Sequence, residues 1–161
     1  KSNLDSKPDF KKYKLDIVRQ QYLLKQSLNL ELKATGQLSS DKLPVPEQLS
    51  FGGNDFGKGF RSSHVFGDEG WLASLKLSKN FSFRKGKGIT SPYAWYDYGS
   101  ISDVDSSDEQ SASTMGIGLA GKFNKNSSFD FSLGFPTTDD SSPDEAGFDH
   151  KIIGFNLGFS F

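Results

Sequence analysis

The amino-acid sequence predicts an all-β fold, a transmembrane antiparallel β-barrel, and three observations indicate it. Apolar residues alternate with polar or small residues in repeated segments, and these segments are joined alternately by short and by long connections. Phe (15) and Gly (17) are abundant in a chain of 161 residues. Alternation with a period of two is typical of strands with one apolar face. No run approaches the ~20 apolar residues of a membrane helix, so any membrane crossing has to use strands.

Seven segments are predicted to be strands, and in six of them bulky apolar side chains share one face while polar or small ones share the other. The fourth segment, "SPYAWYDYGSI", is aromatic on both faces. The apolar positions of the other six are Tyr13, Leu15 and Ile17; Leu28, Leu30, Leu32 and Ala34; Trp71, Ala73, Leu75, Leu77, Phe81 and Phe83; Met115, Ile117, Leu119 and Phe123; Phe129, Phe131, Leu133 and Phe135; and Ile153, Phe155, Leu157, Phe159 and Phe161.

The connections alternate in length and charge. "LLKQS", "RKGKGIT" and "NKNSS" are short and basic, whereas residues 47–70, "SDVDSSDEQ" and "TTDDSSPDEAGFDHK" are long, and the last two are acidic. Short turns on one side and long loops on the other are typical of outer-membrane barrels, whose apolar face meets lipid and whose polar face meets a watery lumen. A soluble β-sandwich also alternates, but it would turn all these Phe residues inward, and its opposite faces would rarely be so poor in bulky side chains.

The number of predicted strands indicates an incomplete barrel. A barrel in lipid has to close, because an open edge leaves backbone groups unpaired. Bacterial single-chain barrels have an even number of strands, and an eight-stranded lumen is already filled by side chains, with little room for a loop as long as residues 47–70. We therefore expect residues 1–161 to be the C-terminal part of a larger barrel. The alternatives are self-association of copies, or an eighth strand within residues 1–10 or 43–51.

Composition excludes several classes of function. The formal net charge of -1 provides no field that would attract nucleic acid, so no nucleic-acid partner is expected. With 0 Cys and 2 His, the chain has few ligands for a metal site. The sequence contains no nucleophile elbow and no plausible Ser-His-Asp set. We therefore expect no catalytic residues, no metal ion and no cofactor.

Two Gly-rich runs carry a resemblance to a known family. The segment "LPVPEQLSFGGNDFGKGF", followed by "GDEGWLASLKLS", resembles the sixth extracellular loop of the outer-membrane transporters of two-partner secretion, the TpsB group of the Omp85 superfamily. The runs that match are Glu47-Gln48-x-Ser50-x-Gly52-Gly53 and Gly67-Asp68-x-Gly70. The resemblance covers roughly residues 8–161. It implies that the seven strands are the last of a barrel of about sixteen, and that residues from about 43 to 70 form a long extracellular loop that folds into the lumen.

The resemblance also implies a contact between the tip of this loop and the barrel wall. The family's tip motif, Val/Ile-Arg-Gly-Phe/Tyr, reads Gly57-Lys58-Gly59-Phe60 here, and Arg61 follows directly. The wall motif, Phe-x-Asp-x-Gly, reads Trp95-Tyr96-Asp97-Tyr98-Gly99, so that Trp95, Asp97 and Gly99 face the lumen by alternation. A salt bridge from the tip to Asp97 is implied. Lysine offers a point charge where arginine offers a bidentate fork, so we expect a looser contact, in which Arg61 could partly substitute.

The last predicted strand ends in a pattern of its own. Phe155, Leu157, Phe159 and the terminal Phe161 recur at two-residue steps, with Gly158 between them. A terminal Phe on an alternating strand resembles the C-terminal signal of bacterial outer-membrane proteins. We therefore expect the barrel-insertion machinery to recognise this strand.

The function implied by the resemblance is protein export across the bacterial outer membrane, the type V route. The partner would be a large secreted exoprotein of β-helical (TpsA) type that passes unfolded, in a barrel surrounded by lipid and lipopolysaccharide. In the family, POTRA domains precede the barrel, and residues 1–161 contain none. The alternatives are an Omp85-type assembly factor for outer-membrane proteins, the barrel of a patatin-like phospholipase, and a small self-contained structural barrel. The Glu-Gln-x-Ser-x-Gly-Gly run favours secretion.

Overall fold

The computed structural model describes residues 9–24, 27–62, 64–83, 88–106, 108–124, 126–139 and 152–159. Across these ranges the regular structure is strand except for one 3₁₀ turn, Val45–Glu47, and no helix there is long and apolar enough to cross a membrane. The strands are β1 (Lys12–Leu23), β2 (Leu28–Ser39), β3 (Leu49–Phe51), β4 (Val65–Gly67), β5 (Glu69–Lys79), β6 (Phe81–Phe83), β7 (Gly88–Ser102), β8 (Glu109–Asn124), β9 (Ser127–Asp139) and β10 (Ile152–Phe159).

One antiparallel sheet runs in chain order through β1, β2, β5, β7, β8, β9 and β10. Strand β6 follows β5 after Asn80 and pairs with the start of β7. We therefore count β5 and β6 together as one crossing, that is, one passage of the chain from one end of the sheet to the other. The seven crossings are the seven segments that alternation predicts. Strands β1 and β10 form the two edges of the sheet, and within the described residues they do not pair with each other.

The two faces of the sheet differ as alternation predicts. We call the apolar face the outer face, and the face that carries residues 43–70 the inner face. The large apolar side chains of the outer face remain exposed, among them Tyr13, Leu15, Ile17, Leu32, Trp71, Leu75, Leu77, Tyr96, Met115, Ile117, Leu119, Phe131, Ile153, Phe155 and Leu157. A sandwich would bury such a face against a second sheet, so that alternative is wrong. An apolar face turned outward is what a wall in lipid requires.

Strands β7 and β8 fit together through aromatic rings that lie over glycines on the inner face. Trp95 is the cross-strand partner of Gly116, and Tyr93 is the partner of Gly118. A Cβ atom at Gly118 would lie 2.7 Å from Cε1 of Tyr93, and one at Gly116 would overlap the Trp95 ring. The small residues of β8 therefore give space to the large ones of β7.

Residues 43–70 form a long loop folded over the inner face, and the last two of these residues, Glu69 and Gly70, begin β5. At its centre β3 and β4 pair as a short antiparallel hairpin, with Leu49 opposite Gly67 and Phe51 opposite Val65. Strand β3 lies in the range that we considered for an eighth strand. It pairs with β4 and not with the large sheet, so residues 43–51 do not add a strand to the wall.

The apolar side chains of the loop build a core against the wall, which explains why this Gly-rich segment contains so much Phe. Each apolar side chain that is fully buried contributes about 1.5–3 kcal/mol. The buried cluster consists of Leu49, Phe51, Phe60 and Val65 from the loop and Leu72, Ile101 and Ala112 from β5, β7 and β8, with Phe56 packed at its margin.

Candidate functional site

Asp97 lies on the inner face of β7 and is fully buried under the tip of the loop. Its Oδ2 atom accepts hydrogen bonds from the backbone N–H groups of Gly57 at 2.9 Å and Lys58 at 3.3 Å. Hydrogen bonds to an ionised carboxylate are roughly twice as strong as bonds between neutral groups. The structure thus brings two residues of the predicted tip motif onto the predicted wall aspartate.

The side chain of Lys58 contacts two aromatic rings of the wall. Its Nζ atom lies over the rings of Tyr93 and Trp95, 5.7 and 5.4 Å from the ring centroids. Among the salt bridges between described residues, none joins Lys58 to Asp97. The tip therefore contacts Asp97 through backbone hydrogen bonds, where the resemblance implied a salt bridge.

The surroundings of Lys58 disfavour its charge. Burial lowers the pKa of Lys58, and the nearby Lys76 lowers it further, against the opposing influence of Asp97 and Asp130. Lys76 also lies over the Tyr93 ring, with its Nζ atom 4.2 Å from the centroid. Two lysine side chains thus share one aromatic surface.

Several polar atoms beneath the tip remain without a hydrogen-bond partner among the described residues. They are Oδ1 of Asp97, Nε1 of Trp95 and Oγ1 of Thr114, and all three are buried. An unsatisfied buried polar group costs about 1–3 kcal/mol. The docked tip therefore uses only part of the hydrogen-bonding capacity of the wall below it.

Gly59 allows the backbone of the tip to lie directly on the wall. A Cβ atom at Gly59 would lie 2.9 Å from Cβ of Thr114 and 3.1 Å from the carbonyl carbon of Phe135. From the opposite side, a Cβ atom at Gly134 on β9 would lie 2.9 Å from Cα of Gly59. The tip motif contains Gly59, but no motif in the sequence predicts the recess at Gly134 that receives it. The one available sign is Gly134 inside a strand, where glycine often marks a close backbone approach.

The remaining motif residues hold the loop together or lie at its surface. The ring of Phe60 stacks on His64, with centroids 4.5 Å apart. Arg61 is exposed and takes part in no salt bridge between described residues. Gly99 leaves room for Phe51, because a Cβ atom there would lie 2.6 Å from the Cδ2 atom of that ring. The loop thus occupies the space over Gly99.

The C-terminal strand places Phe155 and Leu157 on the exposed outer face. Gly158 lies opposite Ser128 in the pairing of β10 with β9, and Phe159 ends β10. Phe161 lies outside the described residues. The apolar side of the expected insertion signal is therefore on the side of the sheet that would meet lipid.

Asp68 is a second buried carboxylate, and the sequence offers it only as part of the Gly67-Asp68-x-Gly70 run. It has no exposed surface. Its Oδ1 atom accepts hydrogen bonds from the backbone N–H of Leu43 at 2.9 Å and from Nε2 of Gln48 at 3.0 Å. Its Oδ2 atom accepts one from the backbone N–H of Val104 at 3.2 Å. The two sequence runs that carry the family resemblance thus meet at this residue.

Three features define the class of protein to which this fold belongs. They are an antiparallel sheet with an apolar outer face, aromatic and polar side chains on its inner face, and a long loop packed on that inner face. The class is that of the outer-membrane β-barrels with a folded-in loop. Residues 1–121 match the model of the family described as haemolysin secretion/activation protein ShlB/FhaC/HecB, and the chain belongs to this family. The resemblance to the two-partner secretion transporters is thereby confirmed. No curated protein matches the sequence.

A solved structure agrees with the family match. CdiB from Escherichia coli is similar to this chain with a TM-score of 0.81 and 26% sequence identity, over 94% of this chain and 28% of that chain. The chain thus spans 28% of the length of this relative. The family is one of secretion transporters and is not known as a family of enzymes. Its members are outer-membrane proteins, which implies an outer-membrane location for this chain.

Proposed function

We propose that the chain forms part of the wall of an outer-membrane pore that exports a large secreted exoprotein, and that residues 43–70 occupy the lumen of that pore. The observation that carries this proposal is the docking of the loop tip on the buried Asp97. A loop that covers the inner face has to be displaced before a polypeptide can pass along it. The loop is therefore the gate of the pore.

The chain is, on this proposal, the C-terminal part of a longer protein. The sheet ends in two edges, β1 and β10, and open edges in lipid would leave backbone groups unpaired. The 28% coverage of CdiB supports the same conclusion. Further strands would complete the barrel to about sixteen, and POTRA domains in the periplasm would capture the partner.

The inner face offers a polar path for that partner. A cavity of about 650 Å³ separates the loop from β1 and β2, and its lining includes Lys12, Lys14, Lys33 and Gln37. Displacement of the tip would open the recess at Gly134 and join it to this space. An unfolded exoprotein of β-helical type would find hydrogen-bonding groups there for its backbone, which apolar walls would not supply.

The outer face would contact lipid and lipopolysaccharide through its exposed apolar side chains. Phe155, Leu157 and Phe159 lie at the end of the chain, followed by Phe161. We infer that the barrel-insertion machinery recognises this strand during biogenesis. The barrel would then be integral to the outer membrane and cross it with many strands.

Replacement of Asp97 by Asn tests the proposed gate. Asn retains an oxygen acceptor but lacks the charge, and hydrogen bonds to charged groups contribute about 1.5–3 kcal/mol, against about 1 kcal/mol for neutral pairs. We expect Asp97→Asn in the intact transporter to reduce the amount of exoprotein in the medium severalfold, because the tip no longer returns reliably to its docked position. The amount of transporter in the outer membrane should not change.

The matched control is Glu31→Gln on the inner face of β2, a carboxylate whose partners Gln20 and Lys33 belong to the wall. This variant should secrete normally. Normal secretion by Asp97→Asn would contradict the proposal that docking at this residue operates the gate.

A further inference from the structure

We propose that Asp68 is a positioning residue that keeps the base of the loop on the wall when the tip is displaced. The base comprises residues 43–51 and 64–70, and the tip comprises residues 52–62. The inference rests on the proposed function, because it divides the gate of that pore into a fixed and a moving part.

Asp68 forms hydrogen bonds that connect both ends of the loop at one buried position. Besides the three hydrogen bonds to its carboxylate, its backbone N–H donates to the carbonyl of Ser102 on β7 at 3.0 Å. Its own carbonyl accepts a bond from Nε2 of Gln37 on β2 at 3.0 Å. The same Gln37 amide donates to the carbonyl of Glu47 at 3.2 Å. The start of the loop, the end of the loop, and two wall strands are thus joined through adjacent bonds.

The carboxylate of Asp68 is better satisfied than that of Asp97. Both of its oxygens accept hydrogen bonds, whereas Oδ1 of Asp97 is buried without a partner among the described residues. A buried charge that loses its donors is left uncompensated. Lifting the base as a unit leaves the bonds from Leu43 and Gln48 intact, but it breaks the bonds that Asp68 makes with Val104, Ser102 and Gln37. Lifting the tip breaks the two bonds to Asp97, so the tip should leave first.

Close backbone contact and an ion pair hold the base on either side of Asp68. A Cβ atom at Gly67 would lie 2.6 Å from the carbonyl oxygen of Ser102, and one at Gly70 would lie 2.8 Å from Cα of Ile101. At the start of the loop, Nζ of Lys12 lies 2.6 Å from Oε2 of Glu47. The base thus contacts β1, β2 and β7 independently of the tip.

The tip begins with two consecutive glycines, directly after the hairpin strand β3. Gly52 and Gly53 have φ angles of 124° and 96°, which L-residues rarely adopt and which glycine reaches at little cost. Such residues can take up the backbone rotations that reorient a segment. We therefore place the point of rotation of the tip at Gly52 and Gly53, where the base ends.

Spin labels on single cysteines distinguish motion of the base from motion of the tip. The sequence contains 0 Cys, so Val45→Cys in the base and Asp55→Cys in the tip, both at exposed positions, can be introduced into the intact transporter freed of any other cysteine. We expect Asp97→Asn to shift the tip label from an immobile to a mobile spectrum and to leave the base label immobile. Asp68→Asn should make the base label mobile, because an amide NH₂ faces N–H donors there.

The matched control is Asp105→Asn, which removes an exposed carboxylate 3.9 Å from Nζ of Lys42 and should leave both labels immobile. If Asp68→Asn prevents insertion, Gln48→Leu removes a single donor and should still increase the mobility of the base label. A base label that becomes mobile together with the tip in Asp97→Asn, or that stays immobile in Asp68→Asn and Gln48→Leu, would overturn the proposal. Secretion is measured separately from the mobility of the labels. A failure of the proposed export function is therefore distinguishable from a failure of Asp68 to hold the base on the wall.

Discussion

The Lys58 side chain contacts two aromatic rings where an ion pair was expected. A cation–π contact contributes about 0.5–1 kcal/mol at an exposed site and about 2 when it is desolvated. Both contacts would favour the ammonium, so the difference lies in the rest of the surroundings of Lys58. An ion pair with Asp97 would favour the ammonium, whereas burial beside Lys76 disfavours it. The pH dependence of docking therefore distinguishes them.

Docking of the tip should strengthen as the pH rises towards the ordinary lysine pKa of about 10.4. Burial lowers the pKa of Lys58 in the docked state, so the docked loop binds fewer protons than the undocked loop, and the free energy of undocking increases with pH in the window below that value. The measurement is the immobile fraction of the label at Asp55→Cys. Lys58→Met should remove this contribution, and docking that weakens with rising pH would contradict it.

Sequence patterns identify some of these residues and not others, for a physical reason. Asp97 is recognisable because it falls in a run that resembles the family's wall motif, and alternation assigns it to the inner face beside Trp95. The donors that reach it, and those that reach Asp68, are mostly backbone N–H groups, which every residue except proline carries. Only folding decides which of them converge on a carboxylate. The motif residues could therefore be predicted, whereas the bonds between them could not.

At the scale of the elements, the alternation along each strand separates an environment for lipid from one for water. Ile117 and Gly118 are neighbours on β8, yet Ile117 is 62% exposed on the outer face, while Gly118 lies under the ring of Tyr93. A charge placed at these two kinds of position should have different effects.

Ile117→Lys should destabilise the barrel by about 2–4 kcal/mol if the residue lies near the middle of the bilayer. Ala120→Lys, on the inner face of the same strand and opposite Asp130, should cost little. The measurement is the free energy of unfolding of the intact transporter in lipid vesicles. Equal losses from both variants would contradict the assignment of the outer face to lipid.

The seven crossings could be predicted from the sequence because each is long enough to show the two-residue alternation of a strand. The break between β5 and β6 could not, because the alternation continues through it. The backbone N–H of Asn80 donates instead to the carbonyl of Ser27 in the turn between β1 and β2. The hairpin of β3 and β4 was also missed, since three residues are too few to show a period.

At the scale of the whole molecule, the hydrophobic cluster lies between the loop and the wall. Elsewhere the described sheet presents its apolar face outward. Apart from this cluster, the sheet must be stabilised by the hydrogen bonds between its strands and by lipid. Backbone groups at its edges have to be paired, because lipid offers them no hydrogen bonds.

We expect the intact polypeptide from native outer membranes to have a mass well above 17.7 kDa, the mass of the 161 residues, because β1 and β10 need further strands between them. Mass spectrometry of the purified protein tests this. A mass of 17.7 kDa would mean that several copies, or a second chain, complete the barrel.

The two tryptophans of the chain lie on opposite sides of the sheet. Trp71 is half exposed on the outer face and stacks on Tyr98, with centroids 5.0 Å apart. Trp95 is almost fully buried on the inner face, next to Lys58. The chain thus contains two natural fluorophores in different media. On the proposed function, Trp71 would face hydrocarbon throughout, whereas Trp95 would contact water when the tip moves away, so the fluorescence of Trp71 would be a fixed reference for that of Trp95.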